Sequence, residues 1–371
     1  MKKLNVALVG CWHPHVPRYY PILQKREDTA LTCVWDSTPT RGNEWAQKLG
    51  VPFVADYDEL LKRPDVDAVC IVAETCRHAE LMKKAAEAGK HIFTEKSFTV
   101  TTAEASEVRD AVKKSGVKFG IAYIRATTPA FVLGKKLMDA GLLGEVNMVR
   151  IRNGVDASKM NDLPPDWFDR TVSGGGAWID LGCHQMYLMD WMLGEPLDIS
   201  VNAINYYGRD VEDNVCAAVK FRNGTLGVAE STCSTFYSPY MFEIYGRKGS
   251  YLCRIDAPES EIQMEAENLE KLRALLPGIC LKEEIVGGTV SNASVNSLFG
   301  ARAVVKVPVA ELPQGREPIE LWLDEILYGK ENPFDIDCGC RLTRLMEGGC
   351  RALEEKRTVK FLKKAKSLKF R

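Results

Sequence analysis

The sequence predicts an α/β protein in which a doubly wound parallel sheet is followed by an α+β domain on a mostly antiparallel, open sheet. Two observations support this prediction. Up to residue 123, short runs that are apolar on both faces alternate with helical segments, as a parallel sheet covered by helices requires. Beyond it, segments of alternating polarity follow one another, with a hairpin signal at Asn223-Gly224. We therefore expect domains at 1–123 and 124–371.

Five apolar runs define the strands of the first domain, and the first of them ends at Gly10. Glycines such as Gly89 and Gly116 close the helices between them, because glycine suits the left-handed conformation at a helix C-terminus. This alternation is typical of a Rossmann domain. The predicted strands lie in 4–10, 30–36, 67–73, 90–96 and 117–123; one predicted helix ends near 24 and the others span 40–49, 78–88 and 103–115.

The second domain mixes both kinds of element. A helix is predicted at 130–140, where Gly141 and Gly144 stop it. Strand patterns dominate the middle of this domain, and one amphipathic helix is predicted at 262–276. Two further helices are expected at 317–328 and 340–355.

Composition excludes several classes of protein. With 46% hydrophobic and 27% charged residues, the chain of 371 residues is globular and not disordered. A formal net charge of −1 leaves no basic excess for nucleic acid, and no apolar run is long enough for a membrane helix. The opening apolar run soon meets Gly10, so we expect a strand there and not a signal peptide.

The twelve cysteines do not form a metal-ligand pattern. No C-x-x-C pair occurs, and the closest spacing, Cys338-Gly-Cys340, has no histidine nearby in the sequence. We expect reduced structural thiols, no bound metal and a cytoplasmic protein.

The turn after the first strand is a candidate phosphate-binding site. Gly10 permits the tight turn that a dinucleotide needs there, and Asp36 ends the second strand, where a carboxylate can bind ribose hydroxyls. That carboxylate would repel a 2′-phosphate, which favours NAD over NADP. Trp12 stands where a second glycine is usual, so a plain strand-to-helix turn remains the alternative.

Two further places carry candidate catalytic residues. Lys96 follows a strand end, where a lysine can hydrogen-bond a substrate hydroxyl and stabilise a developing alkoxide, or simply lie at the surface. Asp180 and His184 are four residues apart and would share a helix face, which suits proton transfer near neutral pH. The alternative is a helix cap beside a structural histidine.

Taken together, three segments resemble the Gfo/Idh/MocA family of sugar and polyol oxidoreductases, over nearly the whole chain. EAGKHIFTEKSFTVT (87–101) is similar to the family's A-G-K-H-V-x-x-E-K-P, and LMDAGLLGEV (137–146) to its L-I-x-x-G-x-L-G-x-V. GGGAWIDLGCHQMYLMDWMLGEP (174–196) is similar to its G-G-G-x-x-x-D-x-G-x-H.

The resemblance implies a catalytic set. His184 would be the acid/base, Lys96 would hold the reacting oxygen, and Asp180 would bind the substrate and orient the pair. The cofactor, NAD, would contact a group of residues along the first domain and just after it. These are Gly10, Trp12, His13, Asp36, Ala73, Glu74, His78, Glu95, Lys96 and Arg125.

The sequence departs from the family pattern at three places. Trp12 replaces a loop glycine, and Ala73-Glu74-Thr75 replaces Thr-Pro-Asn, so the seat of the cofactor's phosphates and nicotinamide is open. Ser97 replaces the proline after the lysine. Because a cis bond is costly without proline, we expect the Lys96–Ser97 bond to be trans, with the lysine aimed by other means such as the Ser97 hydroxyl.

These features favour an enzyme that oxidises a secondary hydroxyl of a sugar, inositol or glycoside with NAD. One alternative is a redox-neutral enzyme with recycled NAD, which would epimerise its substrate or cleave a glycoside by elimination. The other is a non-catalytic regulator that binds NAD or a sugar.

The substrate would lie against the second domain. Trp167 is placed either to stack on a sugar ring or to pack in the core. The open sheet is expected to pair subunits into a homodimer or homotetramer, because a broad exposed apolar face is a liability. Besides Lys96, Asp180 and His184, the candidate substrate residues are Arg152, Asn153, Trp167, Tyr237 and Tyr240.

Overall fold

The computed structural model describes residues 3–157, 163–286 and 301–361. The first domain is built on a five-stranded parallel sheet with the strand order β2-β1-β3-β4-β5, which confirms the predicted α/β class. The chain runs outward from β1 to β2 and then crosses to β3, so a crevice opens beyond the carboxyl ends of β1 and β3. The strands are β1 Leu4–Val9, β2 Thr29–Trp35, β3 Ala68–Ile71, β4 His91–Thr94 and β5 Phe119–Ile121.

Five helices accompany this sheet, and four of them lie within one or two residues of their predicted bounds. The additional helix, α3, begins after Asp56, whose side chain accepts a hydrogen bond from the Glu59 backbone N–H. A capping box formed by Thr101 and Glu104 begins α5. The helices are α1 Val16–Lys25, α2 Pro39–Leu49, α3 Tyr57–Lys62, α4 His78–Glu87 and α5 Thr102–Ser115.

The second sheet has ten strands and is antiparallel except for the β6–β9 pair. Its order is β13-β14-β12-β11-β10-β6-β9-β8-β7-β15. The strands are β6 Val146–Asp156, β7 Pro196–Ile204, β8 Asn214–Phe221, β9 Leu226–Thr232, β10 Ser234–Gly246, β11 Gly249–Arg254, β12 Glu259–Glu265, β13 Lys282–Val286, β14 Arg302–Pro308 and β15 Val359–Lys360.

The helices of the second half cover one face of this sheet and return to the first domain. A π-helical turn at Trp178–Gly182 leads directly into α8. Trp322 of α10 packs so closely on β5 that a Cβ at Gly120 would lie 2.8 Å from the Trp322 Cβ. The helices are α6 Pro129–Asp139, α7 Arg170–Ser173, α8 Cys183–Leu193, α9 Leu269–Leu275, α10 Pro318–Tyr328 and α11 Ile336–Glu354.

The predicted helix at 262–276 is wrong in its first part. Residues 262–265 belong to β12, where Ser260, Ile262 and Met264 are buried in alternation with more exposed neighbours. This period of two matches a strand paired on both sides, and the helix itself is only α9. No helix within the described ranges is long and apolar enough to cross a membrane.

Candidate active site

Lys96 and Asp180 form a buried ion pair beside the crevice. Lys96 follows β4, and its Nζ donates to Asp180 Oδ1 at 2.7 Å and to the Asp180 carbonyl at 3.0 Å. The lysine side chain is 3% exposed and the aspartate side chain 23%. Burial acts to lower the pKa of Lys96, but the carboxylates of Asp180 and Glu95 outweigh it and the pKa lies above its ordinary value. The lysine is therefore a fixed positive charge.

His184 lies near this pair on the first turn of α8. Its Nδ1 is 2.8 Å from the Tyr187 hydroxyl, three residues further along the same helix face. Burial lowers the pKa of His184 well below its ordinary value, and the positive charges of Lys96 and Arg125 lower it further. The imidazole is therefore neutral and able to accept a proton. Sequence reasoning missed Tyr187, because it lies among the apolar residues of α8 and its contact with His184 is visible only in the structure.

The peptide bond between Lys96 and Ser97 is cis, so the predicted trans bond is wrong. Ser97 is buried and is bonded from two directions: its hydroxyl donates to the Ile179 carbonyl at 3.1 Å, and its own carbonyl lies 2.8 Å from His78 Nδ1. The Ser97 hydroxyl thus contacts the residue before Asp180 and not the lysine.

The loop after β1 is covered by the second domain. Gly10 has a φ of +81°, and a Cβ there would lie 2.5 Å from the Ala73 Cα, so only glycine fits between β1 and β3. Trp12 is 3% exposed and stacks on Trp167 with ring centroids 4.5 Å apart. Its Nε1 donates to Asp166 at 2.8 Å. Trp12 therefore packs between the loop and the second domain.

Two histidines follow Trp12 and surround Glu95. His15 Nδ1 lies 2.9 Å from Glu95 Oε1, which also accepts from the Tyr19 hydroxyl. Glu95 Oε2 accepts the Lys96 backbone N–H, and His13 Nδ1 accepts the His15 backbone N–H at 3.2 Å. Potential metal-binding atoms of His13, His15 and Glu95 lie within 4.8 Å of one another. His15 Nδ1, His13 Nδ1 and both oxygens of Glu95 already take part in hydrogen bonds within the protein.

Burial alone would raise the pKa of Glu95, but His15, which also hydrogen-bonds it, and Lys96 outweigh it and hold that pKa well below its ordinary value. The carboxylate is therefore charged and fully enclosed, with 0% of the residue exposed. It orients its neighbours and offers no free oxygen to a ligand.

The cofactor-binding candidates on the other side of the crevice form a second polar group. Asp36 is 2% exposed and accepts from the Cys11 and Thr38 backbone N–H groups and from Arg41 Nε. Arg41 also reaches Glu74 Oε1 at 2.6 Å. Glu74 Oε2 is buried and has no hydrogen-bond partner in the described parts of the chain. An acceptor left open beside Asp36 fits a ribose hydroxyl, so this side of the crevice suits the adenosine half of NAD.

His78 uses both ring nitrogens within the protein, since Nε2 lies 3.1 Å from the Ala73 carbonyl while Nδ1 faces Ser97. Both partners are carbonyl oxygens, and a neutral imidazole carries only one N–H, so it donates to one of them at a time. Burial lowers the pKa of His78, although the two carbonyls act to raise it. The ring ties the end of β3 to the residue after the lysine. Both ring nitrogens of His78 therefore lie against the protein backbone, and the ring holds the Ser97 backbone beside Lys96.

A small cavity joins the loop to the ion pair. It measures about 10 Å³, which is room for about one water molecule. Its walls come from the β1 loop, the cis peptide and the segment before α8. The residues whose side chains matter for the chemistry are Trp12, His13, Thr75, Lys96, Trp167 and Asp180.

Two predicted residues lie beside His184. The Arg125 backbone N–H donates to the Tyr187 hydroxyl at 3.0 Å, and its guanidinium lies 4.9 Å from the centre of the Tyr240 ring. The Tyr240 hydroxyl is buried without a hydrogen-bond partner among the residues described. Arg125 and Tyr240 therefore belong to the neighbourhood of His184.

Arg152 does not line the cavity beside Lys96 and Asp180. Along β6, Ile151 and Asn153 are buried while Arg152 is more exposed, as alternation in a strand requires. Arg152 instead lines a groove of about 690 Å³ on the open sheet face, together with Tyr237. Contact of either side chain with a substrate beside Lys96 is not supported by this placement.

Comparison with known proteins gives family matches for both domains. A model of the oxidoreductase family with an NAD-binding Rossmann fold matches residues 4–123, and a model of the GFO/IDH/MocA C-terminal domain matches residues 131–252. Together they account for well over half of the chain.

Relatives with named activities are about one quarter identical. Levoglucosan dehydrogenase of Pseudarthrobacter phenanthrenivorans is 28% identical over 292 residues, which is 67% of this chain and 73% of the relative. The scyllo-inositol 2-dehydrogenase (NAD(+)) of Bacillus subtilis is 28% identical over 232 residues, which is 59% of this chain and 65% of the relative. The match to the Bacillus enzyme thus spans slightly less than two thirds of its length.

Solved structures share the fold along almost the whole chain. An NAD-binding protein from Listeria innocua has a TM-score of 0.78 at 21% identity and covers 97% of this chain and 100% of its own. Levoglucosan dehydrogenase in complex with NADH and levoglucosan has a TM-score of 0.75 at 20% identity, with 98% and 100% covered. Both confirm the two-domain α/β and α+β architecture.

Proposed function

The chain belongs to the Gfo/Idh/MocA family of NAD-binding oxidoreductases, and from this premise we propose that it oxidises a secondary hydroxyl of a sugar, inositol or glycoside. The observation that carries the proposal is the buried Lys96–Asp180 ion pair with neutral His184 nearby, at the carboxyl edge of the first sheet. A fixed positive charge and a neutral base are the two groups that alcohol oxidation needs.

The roles follow from the charges. The Lys96 ammonium donates to the substrate hydroxyl and stabilises the negative charge that develops on its oxygen. His184 accepts the hydroxyl proton, because it is unprotonated at neutral pH. Asp180 fixes the position of the lysine and keeps one carboxylate oxygen near the substrate. When bound, NAD would accept a hydride from the carbon atom that carries the hydroxyl.

The open acceptor Glu74 Oε2, beside Asp36, supports a position of the cofactor in the crevice. Asp36 and Glu74 would hold the ribose next to the adenine, Gly10 would let the chain turn beneath the phosphates, and Arg125 would lie on the nicotinamide side. Water is excluded from the reacting end by Trp12 and Trp167, which cover it.

The proposal is tested by asking whether the purified protein carries NAD and then measuring NADH formation across a panel of sugars, inositols and glycosides. The matched variants are Lys96→Met and His184→Asn. NADH formation that both variants abolish supports the proposal. Substrate consumption without NADH would indicate the redox-neutral alternative with recycled NAD, and NAD or sugar binding with no turnover of any compound would indicate a regulator.

Two further assignments belong to this proposal. We place the protein in the cytoplasm, since all twelve cysteines are free thiols. We also propose a homodimer or homotetramer through the open face of the second sheet, where Ile204 is 63% exposed and Tyr237 61%. Light scattering of the wild type and of Ile204→Ser tests the assembly, and a wild-type monomer would contradict it.

A further inference from the structure

We propose that His13 is a substrate-binding residue of this site: its Nε2–H donates a hydrogen bond to the reacting oxygen, beside the Lys96 ammonium. This inference rests on the proposed oxidation. The sequence predicts that His13 contacts the cofactor, whereas this inference makes it a residue that binds the substrate.

The position of the ring proton follows from one hydrogen bond. The His15 backbone N–H donates to His13 Nδ1 at 3.2 Å. A ring nitrogen that accepts a hydrogen bond carries no proton, so in the neutral ring the proton lies on Nε2. His13 therefore presents an N–H donor from the far side of its ring.

This donor has no acceptor in the protein. His13 is 5% exposed, and its Nε2 is buried without a hydrogen-bond partner within the described residues. Buried donors are nearly always paired, so an unpaired one in a cleft indicates a group that arrives with a ligand. His13 lines the cavity that Lys96 and Asp180 also line.

Burial keeps the His13 ring neutral, against the effect of the nearby Glu95 carboxylate. Burial lowers the pKa of His13 well below its ordinary value; His15, Lys96 and His78 lower it further, and only Glu95 acts in the opposite direction. A neutral imidazole can polarise a carbonyl or alkoxide oxygen without giving up its proton. His13 and Lys96 would thus share the developing negative charge, while His184 remains the base.

The cavity favours a hydroxyl oxygen over a phosphate as the acceptor. Its volume of about 10 Å³ admits one water-sized group. The Asp180 carboxylate also lines it and would repel a phosphate. A hydroxyl that becomes a carbonyl needs only donors at its oxygen, and His13 with Lys96 supplies two.

The experiment compares His13→Phe, which keeps a flat ring but removes the donor, with His13→Gln, whose amide can restore an N–H. The matched control is His91→Phe, because His91 begins β4, at the end away from Lys96, and does not line the cavity. We expect His13→Phe to lower kcat/KM by about 10²-fold, in the range for a lost oxyanion donor, with the Kd for NAD changed less than about threefold. His13→Gln should recover part of the loss.

Other outcomes overturn the inference in distinct ways. A weaker Kd for NAD with kcat/KM otherwise retained would make His13 a phosphate ligand, and no change in either would leave it a packing residue. If His184→Asn is inactive while His13→Phe equals the wild type, only this inference fails. If His184→Asn stays active, the proposed function fails as well.

A measurement on the wild type covers the case in which His13→Phe does not fold. In protein labelled with ¹⁵N at histidine, the His13 ring signals are assigned by their loss in His13→Gln. We expect the tautomer with the proton on Nε2 and a change in the Nε2 shift when the substrate found in the panel is added. The opposite tautomer, or no change on saturation, contradicts the proposal.

Discussion

His184 Nδ1 and the Tyr187 hydroxyl lie 2.8 Å apart, and the same hydroxyl accepts the Arg125 backbone N–H. Burial raises the pKa of Tyr187 well above its ordinary value, so the hydroxyl keeps its proton. A phenol oxygen has two lone pairs, and one is taken by Arg125. When His184 accepts a proton at Nε2, the other lone pair is available for the Nδ1–H that the imidazolium must carry.

Tyr187→Phe should therefore make His184 a weaker base. We expect kcat to fall about tenfold, the effect of one lost hydrogen bond of about 1.4 kcal/mol, with little change in KM. Tyr123→Phe is the matched control, because its ring stacks on Tyr187 at 4.1 Å while its hydroxyl binds the Cys338 carbonyl. Equal rates for both variants across the pH range would show that Tyr187 serves only packing.

Removal of the catalytic groups should have larger effects. We expect His184→Asn to lower turnover by about 10²–10⁴-fold, as for a lost general base. Lys96→Met should lower it at least as much, because it removes a charge and a donor and leaves Asp180 unpaired. The Kd for NAD should change little in His184→Asn, and near wild-type rates in both variants would disprove the assigned roles.

Asp36 and Glu74 should make the protein prefer NAD. A 2′-phosphate would approach two carboxylates that share one guanidinium, that of Arg41. We expect Asp36→Ala to narrow the difference in Kd between NAD and NADP, because it frees Arg41 to pair with the phosphate. Glu74→Gln, which removes charge but keeps the shape, should narrow it less. Equal or tighter binding of NADP by the wild type would contradict this reasoning.

Acid should destabilise the protein through its neutral histidines. Burial lowers the folded-state pKa values of His13, His78 and His184, so below their ordinary value of 6.5 the unfolded chain binds protons that the folded chain does not. The free energy of unfolding then decreases as the pH falls, by up to about 1.4 kcal/mol per pH unit for each histidine. Urea unfolding between about pH 7.5 and 5.5 measures this slope, and it should be smaller for His184→Asn.

The fold was predictable because its signals are local. Apolar runs and helix-ending glycines fix the strands and helices of the first domain without reference to distant residues. The prediction was wrong at 262–265, because the three alternating buried residues of β12, Ser260, Ile262 and Met264, are too few to distinguish a strand from a helix without the neighbouring strands.

The site was predictable only in part. Lys96, Asp180 and His184 lie in motifs, but Tyr187 lies among apolar residues of α8 and is distinguished only by its bond to His184. The place of Arg152 on the open sheet face could not be predicted, because the sequence of a strand shows which residues alternate, not which face meets the catalytic helix. The place of His13 depends on a cavity formed by both domains.

The stacked pair of Trp12 and Trp167 provides a further prediction. The cavity beneath it is too small for a sugar, so the pair must shift or form one wall of a larger pocket when substrate enters. Because both rings line the cavity with Lys96, their loss should affect the substrate more than the cofactor.

Trp12→Gly restores the usual loop glycine and tests this directly. We expect KM for the substrate to rise and Tm to fall, since a buried tryptophan and its bond to Asp166 are lost at a cost of about 3–5 kcal/mol. The Kd for NAD should stay within about threefold, because the carboxylates that hold the ribose are untouched. Trp167→Ala, which removes the other ring of the stack, should raise KM in the same way. Trp12→Phe keeps an aromatic ring, so its KM should be close to that of the wild type. Tighter NAD binding with an unchanged KM would show instead that Trp12 obstructs the phosphates, and the aromatic pair would then have no part in the substrate pocket.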